Sequence, residues 1–416
     1  MGKMDLWYGF ACHGIDLLRK NGTLCFIAQN NWTTSSGAKL MRKKILNDSK
    51  IRQLLDFNSY MVFENADIQT MVMIFEHTKN EDNYFFDYRT LQGIPTKDDM
   101  IALLNKQKSV NTKYLLPKII RNNYINKLLT FSENDVILDK IAEEKSYLTE
   151  DEIAQGIVPN PDVINSRNIK LLKDKTINIG DGVFVVDSRK FPNPTKKELN
   201  YIKPLYEPYQ MTKYYMSPIT EKRLLYITKA NWKNDTPRIL NHLSKYKEIM
   251  EQRRENQNGR IQFMHLHWAR DEKFFQIGPK ILSVRKCVDM PIFVYYEPEA
   301  YVMMSVNVIK TDRWNMKFLT GILNSRLIAF WLKNKGKMQG NNYQIDKEPL
   351  MSIPLPIANT NQQKPIIDLV DKILSIKKDD LLATVDSLQQ KIDSLVYDLY
   401  NLGTEDIAII EKSINC

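Results

Sequence analysis

Apolar residues recur at helical intervals at the start of the chain. In MDLWYGFACHGIDLLRK they fall at Leu6, Phe10, Gly14/Ile15 and Leu17/Leu18. Asn21-Gly22 then supplies a C-cap and a turn. Leu24–Ala28 (LCFIA) is a short continuous apolar run, which predicts a strand buried on both faces. SSGAKLMRKKILND reads as a helix capped by a serine. IRQLLDF and QTMVMIFEH read as two further strands joined by NSYMVFENADI. Helix, strand, helix, strand, strand predicts a parallel α/β sheet ending in an antiparallel hairpin. A strand apolar on both faces needs a neighbour on each side, which three strands do not easily supply, and an open edge is a liability. The pattern therefore predicts that the rest of the sheet comes either from a lost N-terminal half or from another polypeptide.

Further on, YFFDYRTL reads as a strand and TKDDMIALLNKQ as a helix within a connecting region. From Ser146 to Pro356 the pattern is a large α+β region. TINIGDGVFVVD, KRLLYITK, PKILSVRKC and MPIFVYYEP are strand-like, while PRILNHLSKYKEIMEQRR and NMKFLTGILNSRLIAFWLKNK are helical. Ile353–Ile357 (IPLPI) closes it with two prolines, which continue neither a helix nor a central strand. In the tail, Ile366, Leu369, Val370 and Ile373 form one stripe, and Val385, Leu388, Ile392, Leu395, Val396 and Leu399 form a second. KKDD separates them, predicting an antiparallel helical hairpin that packs on the domain body or docks another subunit. The boundaries read from these shifts are 1–90, 91–145, 146–357 and 358–416.

Composition narrows the class. The chain has 416 residues, 43% hydrophobic and 10% aromatic, enough for two to three folded domains. Apolar runs fall short of the ~18 residues a membrane span requires, and the charged N-terminus does not read as a signal peptide. Cys12, Cys25, Cys287 and Cys416 are scattered without a CxxC pair, which argues against zinc or a disulfide framework and fits the cytoplasm. From Asp379 to Cys416 there are eight Asp/Glu and two Lys, so with a total of +10 the rest of the chain carries +16. Nucleic acid is the commonest partner of so basic a body.

The order of segments resembles the γ-class N6-adenine DNA methyltransferases, the TaqI-like group. DLWYGFACHGIDLLRKNGTLCFIAQNNW followed by LLDFNSYMVFENADIQTMVMIFEH is similar to the part of the catalytic domain after the catalytic motif. IAQGIVPNPDVI, INIGDGVFVVD, IKPLYEPYQMTKYY, LLYIT and FLTGILNSRLIAFWL with NNYQIDKEPLMSIPLPI resemble the TaqI-like C-terminal specificity domain. The tail IDSLVYDLYNLGTEDIAIIE is similar to the ends of fused restriction–modification enzymes. The resemblance implies a fold that is α/β followed by α+β. Residues 1–90 would be a partial Rossmann-like methyltransferase half-sheet, 91–145 a connecting region, 146–357 a mixed target-recognition domain and 358–416 a helical hairpin. It implies double-stranded DNA as partner and S-adenosylmethionine as cofactor of the complete enzyme. The family's F-x-G-x-G and N-P-P-Y/F motifs lie upstream of the resembling segment, and neither occurs in these residues. Gly180–Gly182 (GDG) falls in the second region without an acidic strand end. The expectation is that this chain alone binds no cofactor and is inactive. An upstream methyltransferase half, in cis or in trans, would complete it, with any nuclease of a fused parent further upstream. The alternative is a stand-alone specificity subunit docked on a separate catalytic chain.

Within the resemblance, Phe63 takes the place of the aromatic that stacks on an adenine swung out of the duplex. The plainer reading is a loop phenylalanine packed on the sheet. Asn30, Asn31 and Trp32 follow a strand's carboxyl end, where α/β sheets place ligands, with Trp32 read as lid or core. Arg253, Arg254, Arg260, His265, His267 and Arg270 cluster around Trp268, a pattern suited to guanine edges and phosphates or else to a solvated loop. His265-x-His267 lacks a third metal ligand. Lys333 to Gln344 is a polar loop in which Lys335, Lys337, Gln339, Tyr343 and Gln344 are DNA-facing candidates. Lys213, Arg285 and Lys286 are candidates for phosphate. NPDVINSRNIK carries only the start of a metal-dependent nuclease pattern, so no nuclease is expected within these residues.

Overall fold

The computed structural model describes residues 4–415 except Glu64, Asp67, 79–82, 125–127, Lys190, 192–193, Asn234 and 340–341; the side chains of Asn122, Asn123 and Gln339, and all of Cys416, also lie outside the description. The chain is mixed α and β and divides into two compact units. The first is Met1–Lys145 with Phe330–Gln344 and Ser352–Pro354, and the second is Ser146–Ala329 with Ile345–Met351 and Leu355–Cys416.

The first unit contains α1 (Leu6–Leu17), β1 (Thr23–Gln29), α2 (Lys39–Asp48), β2 (Lys50–Asp56), β3 (Thr70–Glu76), β4 (Asp87–Leu91), α3 (Lys97–Leu104) and β5 (Thr112–Leu115). The sheet has five strands in the order β1-β3-β2-β4-β5, not three. β3 inserts between β1 and β2, antiparallel to both, with Ile27 opposite Val72 and Leu54 opposite Met73. β2 and β4 are parallel, so β1, β2 and β4 run the same way.

Two expectations fail in this unit, the second only in part. β1 is not buried on both faces. Among the described residues it pairs with β3 alone, and it alternates, with Leu24, Phe26 and Ala28 against the core and Cys25 and Ile27 exposed. The α1 stripe holds only in part, since of its residues Ile15 enters the core. Tyr8, Ala11 and Ile15 enter the core, while Leu6, Phe10 and Leu17 are exposed. Leu6, Phe10 and Leu17 share the opposite face, so α1 is apolar on two sides and its spacing did not say which faces in. A smaller difference is that α2 begins at Lys39 after a turn at Ser36–Ala38, without a serine side-chain cap.

The second unit holds two four-stranded sheets. One has the order Tyr301–Val302, Ile202–Tyr206, Lys222–Leu225, Val185–Asp187. The other has the order Phe293–Tyr296, Lys280–Val284, Val306–Ile309, Ile153–Gln155. Of TINIGDGVFVVD only Val185–Asp187 is strand. Its earlier part is a turn held by the Asp181 carboxylate accepting from the Asn178 amide at 2.8 Å, with Gly180 at φ 94°. The stretch after Pro237 breaks into Pro237–Ser244, Lys247–Met250 and Arg254–Gln257. The tail has the two expected helices, α5 (Thr360–Asp379) and α6 (Asp386–Leu399), in contact with each other, and a third, α7 (Thr404–Asn415), that the pattern did not give. α5 ends within KKDD, with Asp380 as its C-cap, and the Lys377 Nζ caps the turn that follows by donating to the Leu381 and Ala383 carbonyls at 3.1 and 3.3 Å. Helix α4 (Met316–Leu323) lies under α5 at Gly321, where a Cβ would stand 2.5 Å from Ile366 Cγ2. Only glycine permits that approach.

Among the described residues no helix is long and apolar enough to cross a membrane, and no group of His, Cys, Asp and Glu is placed to hold a metal ion.

Candidate nucleic-acid interface

In the first unit β1 and β2 end side by side across β3, and their carboxyl ends are tied together. Asn30 Nδ2 donates to Asp56 Oδ1 at 3.0 Å, the Asn58 amide donates to the same oxygen at 2.9 Å, and the Asn30 amide donates to the Gln69 carbonyl at 3.1 Å. Burial raises the Asp56 pKa, partly offset by these donors. Asn58 turns the chain at φ 47°, a left-handed conformation that asparagine tolerates. The segment that follows is anchored by Tyr60 and Val62, which pack on Phe57, Leu91 and Leu103. Phe63, between these anchors and β3, remains 45% exposed. Trp32 lies in the core, edge-on to Phe75 at 5.9 Å.

These strand ends do not fit a cofactor loop. No glycine lies between Gln29 and Ser36 or between Asp56 and Thr70, and the Asn30 side chain is bonded to that of Asp56.

In the second unit the basic residues fall into two groups. Arg253 is a scaffold residue, 6% exposed. Its guanidinium donates to the carbonyls of Met250 (2.9 Å), His265 (2.9 Å), Asn160 (3.3 Å), Phe263 (2.7 Å) and Gln262 (3.3 Å), and burial lowers its pKa to about 10. Arg285 is bound to Asp346 and donates to the Met304 carbonyl at 2.6 Å. Lys213 donates to the Asn324 carbonyl at 3.1 Å, and burial lowers its pKa to about 8. Arg270 donates to the Gly156 carbonyl at 3.1 Å and lies over the Trp268 ring at 5.3 Å. In the first unit, Lys335 donates to Asp135 at 2.7 Å and to the Thr130 carbonyl at 3.2 Å.

Arg253, Arg285, Lys213 and Lys335, expected to face DNA, are held by these bonds to groups of the protein itself. A buried cation must be satisfied locally, and here carbonyls and carboxylates do so. Tyr343 is likewise buried. Gln344 and Lys337 are linked through the backbone, Gln344 N to Lys337 O at 2.8 Å. The Gln339 side chain is outside the described residues.

Arg254, Arg260 and Lys286 are exposed. Arg254 and Arg260 bracket one turn, closed by the Arg260 amide on the Glu255 carbonyl at 2.9 Å. His267 Nδ1 sits 3.2 Å from Glu255 Oε2, but no hydrogen bond satisfies either atom. Desolvation, its largest cause, lowers the His267 pKa, with the Glu255 charge acting in the opposite direction. The sequence pointed to this cluster, but not to the Asn30–Asp56 tie. The polar residue ending each apolar strand, Asn30 after LCFIAQ and Asp56 after LL, was the available signal.

Residues 1–63 match the family model of the Eco57I restriction-modification methylase, and residues 209–355 match that of the TaqI-like C-terminal specificity domain. The chain is similar to type II restriction–modification methyltransferases. The type II methyltransferase M.BstVI of Geobacillus stearothermophilus is 23% identical over 437 aligned residues, covering 99% of this chain and 70% of that protein. M.HindII of Haemophilus influenzae is 21% identical, covering 93% of this chain and 75% of its own. Among solved structures, the Type IIL restriction-modification enzyme MmeI in complex with DNA shares the fold with a TM-score of 0.56 at 14% identity. This chain is covered in full there but spans only 53% of the MmeI chain.

Proposed function

We propose that this chain reads duplex DNA as the target-recognition part of an adenine-specific methyltransferase of a restriction–modification system, working in the cytoplasm. The observation that carries the reading is the order of the two family matches on one chain, methylase first and specificity domain second. Residues 146–357 form the reading domain, followed by the helical tail, and 1–90 form the carboxyl-terminal part of a Rossmann-like catalytic sheet. Arg254, Arg260 and Lys286 hold phosphates, and Phe63 stacks on the flipped adenine. Stacking on an aromatic offsets lost base stacking by ~1–3 kcal/mol.

The open edge of β1 and the exposed apolar face of α1 support a second element of the reading. A methyltransferase half joins there and brings S-adenosylmethionine with its own residues. The strand ends described above give the cofactor no glycine loop, and no step is assigned to it in this chain. The same open edge favours the second reading, a specificity subunit that docks on a separate catalytic chain.

Selection of bound duplexes from a randomised pool, at low and moderate salt, tests the proposal. Enrichment of one short motif containing adenine is expected. Salt-sensitive binding without enrichment would replace the sequence reader with a general polyanion binder. Methyl transfer by the chain without any added half would overturn the division of labour.

A further inference from the structure

Exposed single hydrophobic residues need no explanation, but Trp268 is held in a way that a stray surface residue is not. It is 50% exposed. Its backbone is bonded both ways to Val158, Trp268 N to Val158 O at 3.0 Å and Val158 N to Trp268 O at 3.1 Å. The preceding His267 amide donates to the Pro159 carbonyl at 3.2 Å. On its other side the 156–158 segment runs against Met303, with the Ile157 amide donating to the Val302 carbonyl at 2.8 Å. The fit there is so close that a Cβ on Gly156 would stand 2.0 Å from the Met303 carbonyl oxygen. Underneath, Arg253 fixes the approach to Trp268 through the carbonyls of Gln262, Phe263 and His265.

The ring is held as well as the backbone. The Arg270 guanidinium lies 5.3 Å from its centroid and is itself tied to the Gly156 carbonyl. Arg270 adopts φ 64°, a left-handed conformation that turns the chain back over the ring. The His267 ring lies 5.0 Å away at 33°. Met304, the neighbour of Met303 in the adjacent segment, is also half-exposed. Two segments bearing exposed cations are joined to this apolar point by contacts. The turn bearing Arg254 and Arg260 reaches it through the Glu255–His267 contact, and Lys286 follows the Arg285 that holds the Met304 carbonyl.

We propose that Trp268 is a base-stacking contact of the reading surface, inserting its exposed half at a distorted step of bound duplex DNA. The inference rests on the DNA-binding reading above and adds the residue that touches bases without reading hydrogen-bond edges. Apolar side chains that enter a duplex do so where neighbouring cations hold the backbone, and a pre-fixed ring loses little entropy on insertion.

The test compares the full chain with its Trp268→Ala, Trp268→Phe and Arg254→Ala variants. The probe is a labelled duplex enriched in the selection, or a mixed-sequence duplex of the same length if none is enriched, titrated over a range of salt. Thermal unfolding checks that each variant is folded. Trp268→Ala is expected to bind roughly ten- to a hundredfold more weakly with an unchanged salt slope, and Trp268→Phe to recover most of the loss. Arg254→Ala is expected to flatten the slope instead. If Trp268→Ala binds like the parent while Arg254→Ala is impaired, the stacking role is overturned and DNA binding stands. If the parent chain fails to bind either duplex, the DNA-binding reading itself falls.

Discussion

Arg253 and Arg254 are adjacent in sequence and opposite in role, so replacing each with alanine separates scaffold from interface. Five hydrogen bonds leave the Arg253 guanidinium, all to backbone carbonyls. At ~1.5–3 kcal/mol for each bond to a charged group, a simple sum would exceed the stability of most domains. The carbonyls keep second lone pairs and water enters the vacated space, so the realistic loss is that of a broken buried charge site, ~3–5 kcal/mol. Arg254 is exposed on a short helix, and its alanine variant should change stability by no more than ~0.5 kcal/mol. Urea unfolding followed by circular dichroism measures both, with duplex affinity measured on the same samples under native conditions. Arg253→Ala should shift the midpoint strongly, and Arg254→Ala should leave it in place while weakening DNA binding. The reasoning would be refuted if Arg253→Ala unfolded at the parental midpoint yet lost DNA affinity, for then its guanidinium would be spent on phosphate.

Further outcomes follow from the same partition of charges. Each phosphate contact contributes a log–log salt slope of about −0.9, so Arg260→Ala and Lys286→Ala should each flatten the slope by about one such unit. Lys213→Met and Lys335→Met should leave it unchanged, and a change in either would return that residue to the interface. Phe63→Ala should leave the thermal midpoint unaltered, but reduce stacking on a flipped base by roughly five- to 150-fold in the completed enzyme. Fluorescence of 2-aminopurine at the target position reads this, and an unchanged signal would count against Phe63. Asp393 is buried and accepts from the Arg326 amide at 2.8 Å; burial raises its pKa from the model-peptide value to about 6. The folded state therefore holds a proton that the unfolded chain has already released. This contribution to stability is present below about pH 4 and is lost as pH rises through about 6. Asp393→Asn should remove that component between about pH 4 and pH 6, and identical pH profiles for variant and parent would dismiss it.

Some of the architecture was readable because local pattern and tertiary role coincide. IRQLLDF and QTMVMIFEH became β2 and β3 almost residue for residue, and Thr96 and Asp99 cap the predicted helix that begins at Lys97. Periodicity misled where more than one face is apolar. In α1 it gave the helix and Ile15 but missed Tyr8 and Ala11, while Leu6, Phe10 and Leu17 of the stripe are exposed. The strands Ile202–Tyr206 and Val306–Ile309 were not picked out because short buried strands lack a period of their own. Charge was the least transparent signal. Arg253 and Arg254 look alike in sequence, and only the path of the backbone carbonyls decides that one is enclosed and the other is not.

The open side of the first unit bears on whether the chain works alone. An edge strand exposed to water ordinarily carries a lysine, a proline or a bulge that discourages further pairing. β1 has none of these. Its sequence TLCFIAQ is uncharged, and its register with β3 runs without a shift from Thr23 opposite Glu76 to Gln29 opposite Thr70. The protective bulge of this sheet lies instead in β2, between Ile51 and Gln53, where the strand already has neighbours on both sides. Beside this edge, α1 turns Leu6, Phe10 and Leu17 outward while burying its opposite face. A helix apolar on both sides is stable in water only when both are covered. Among the described residues one strand edge and one helix face, adjacent in sequence, are both unprotected, as the proposed docking of a methyltransferase half requires. This favours a partner element that adds a strand to β1 and packs on α1 over a reading in which the two exposures are unrelated.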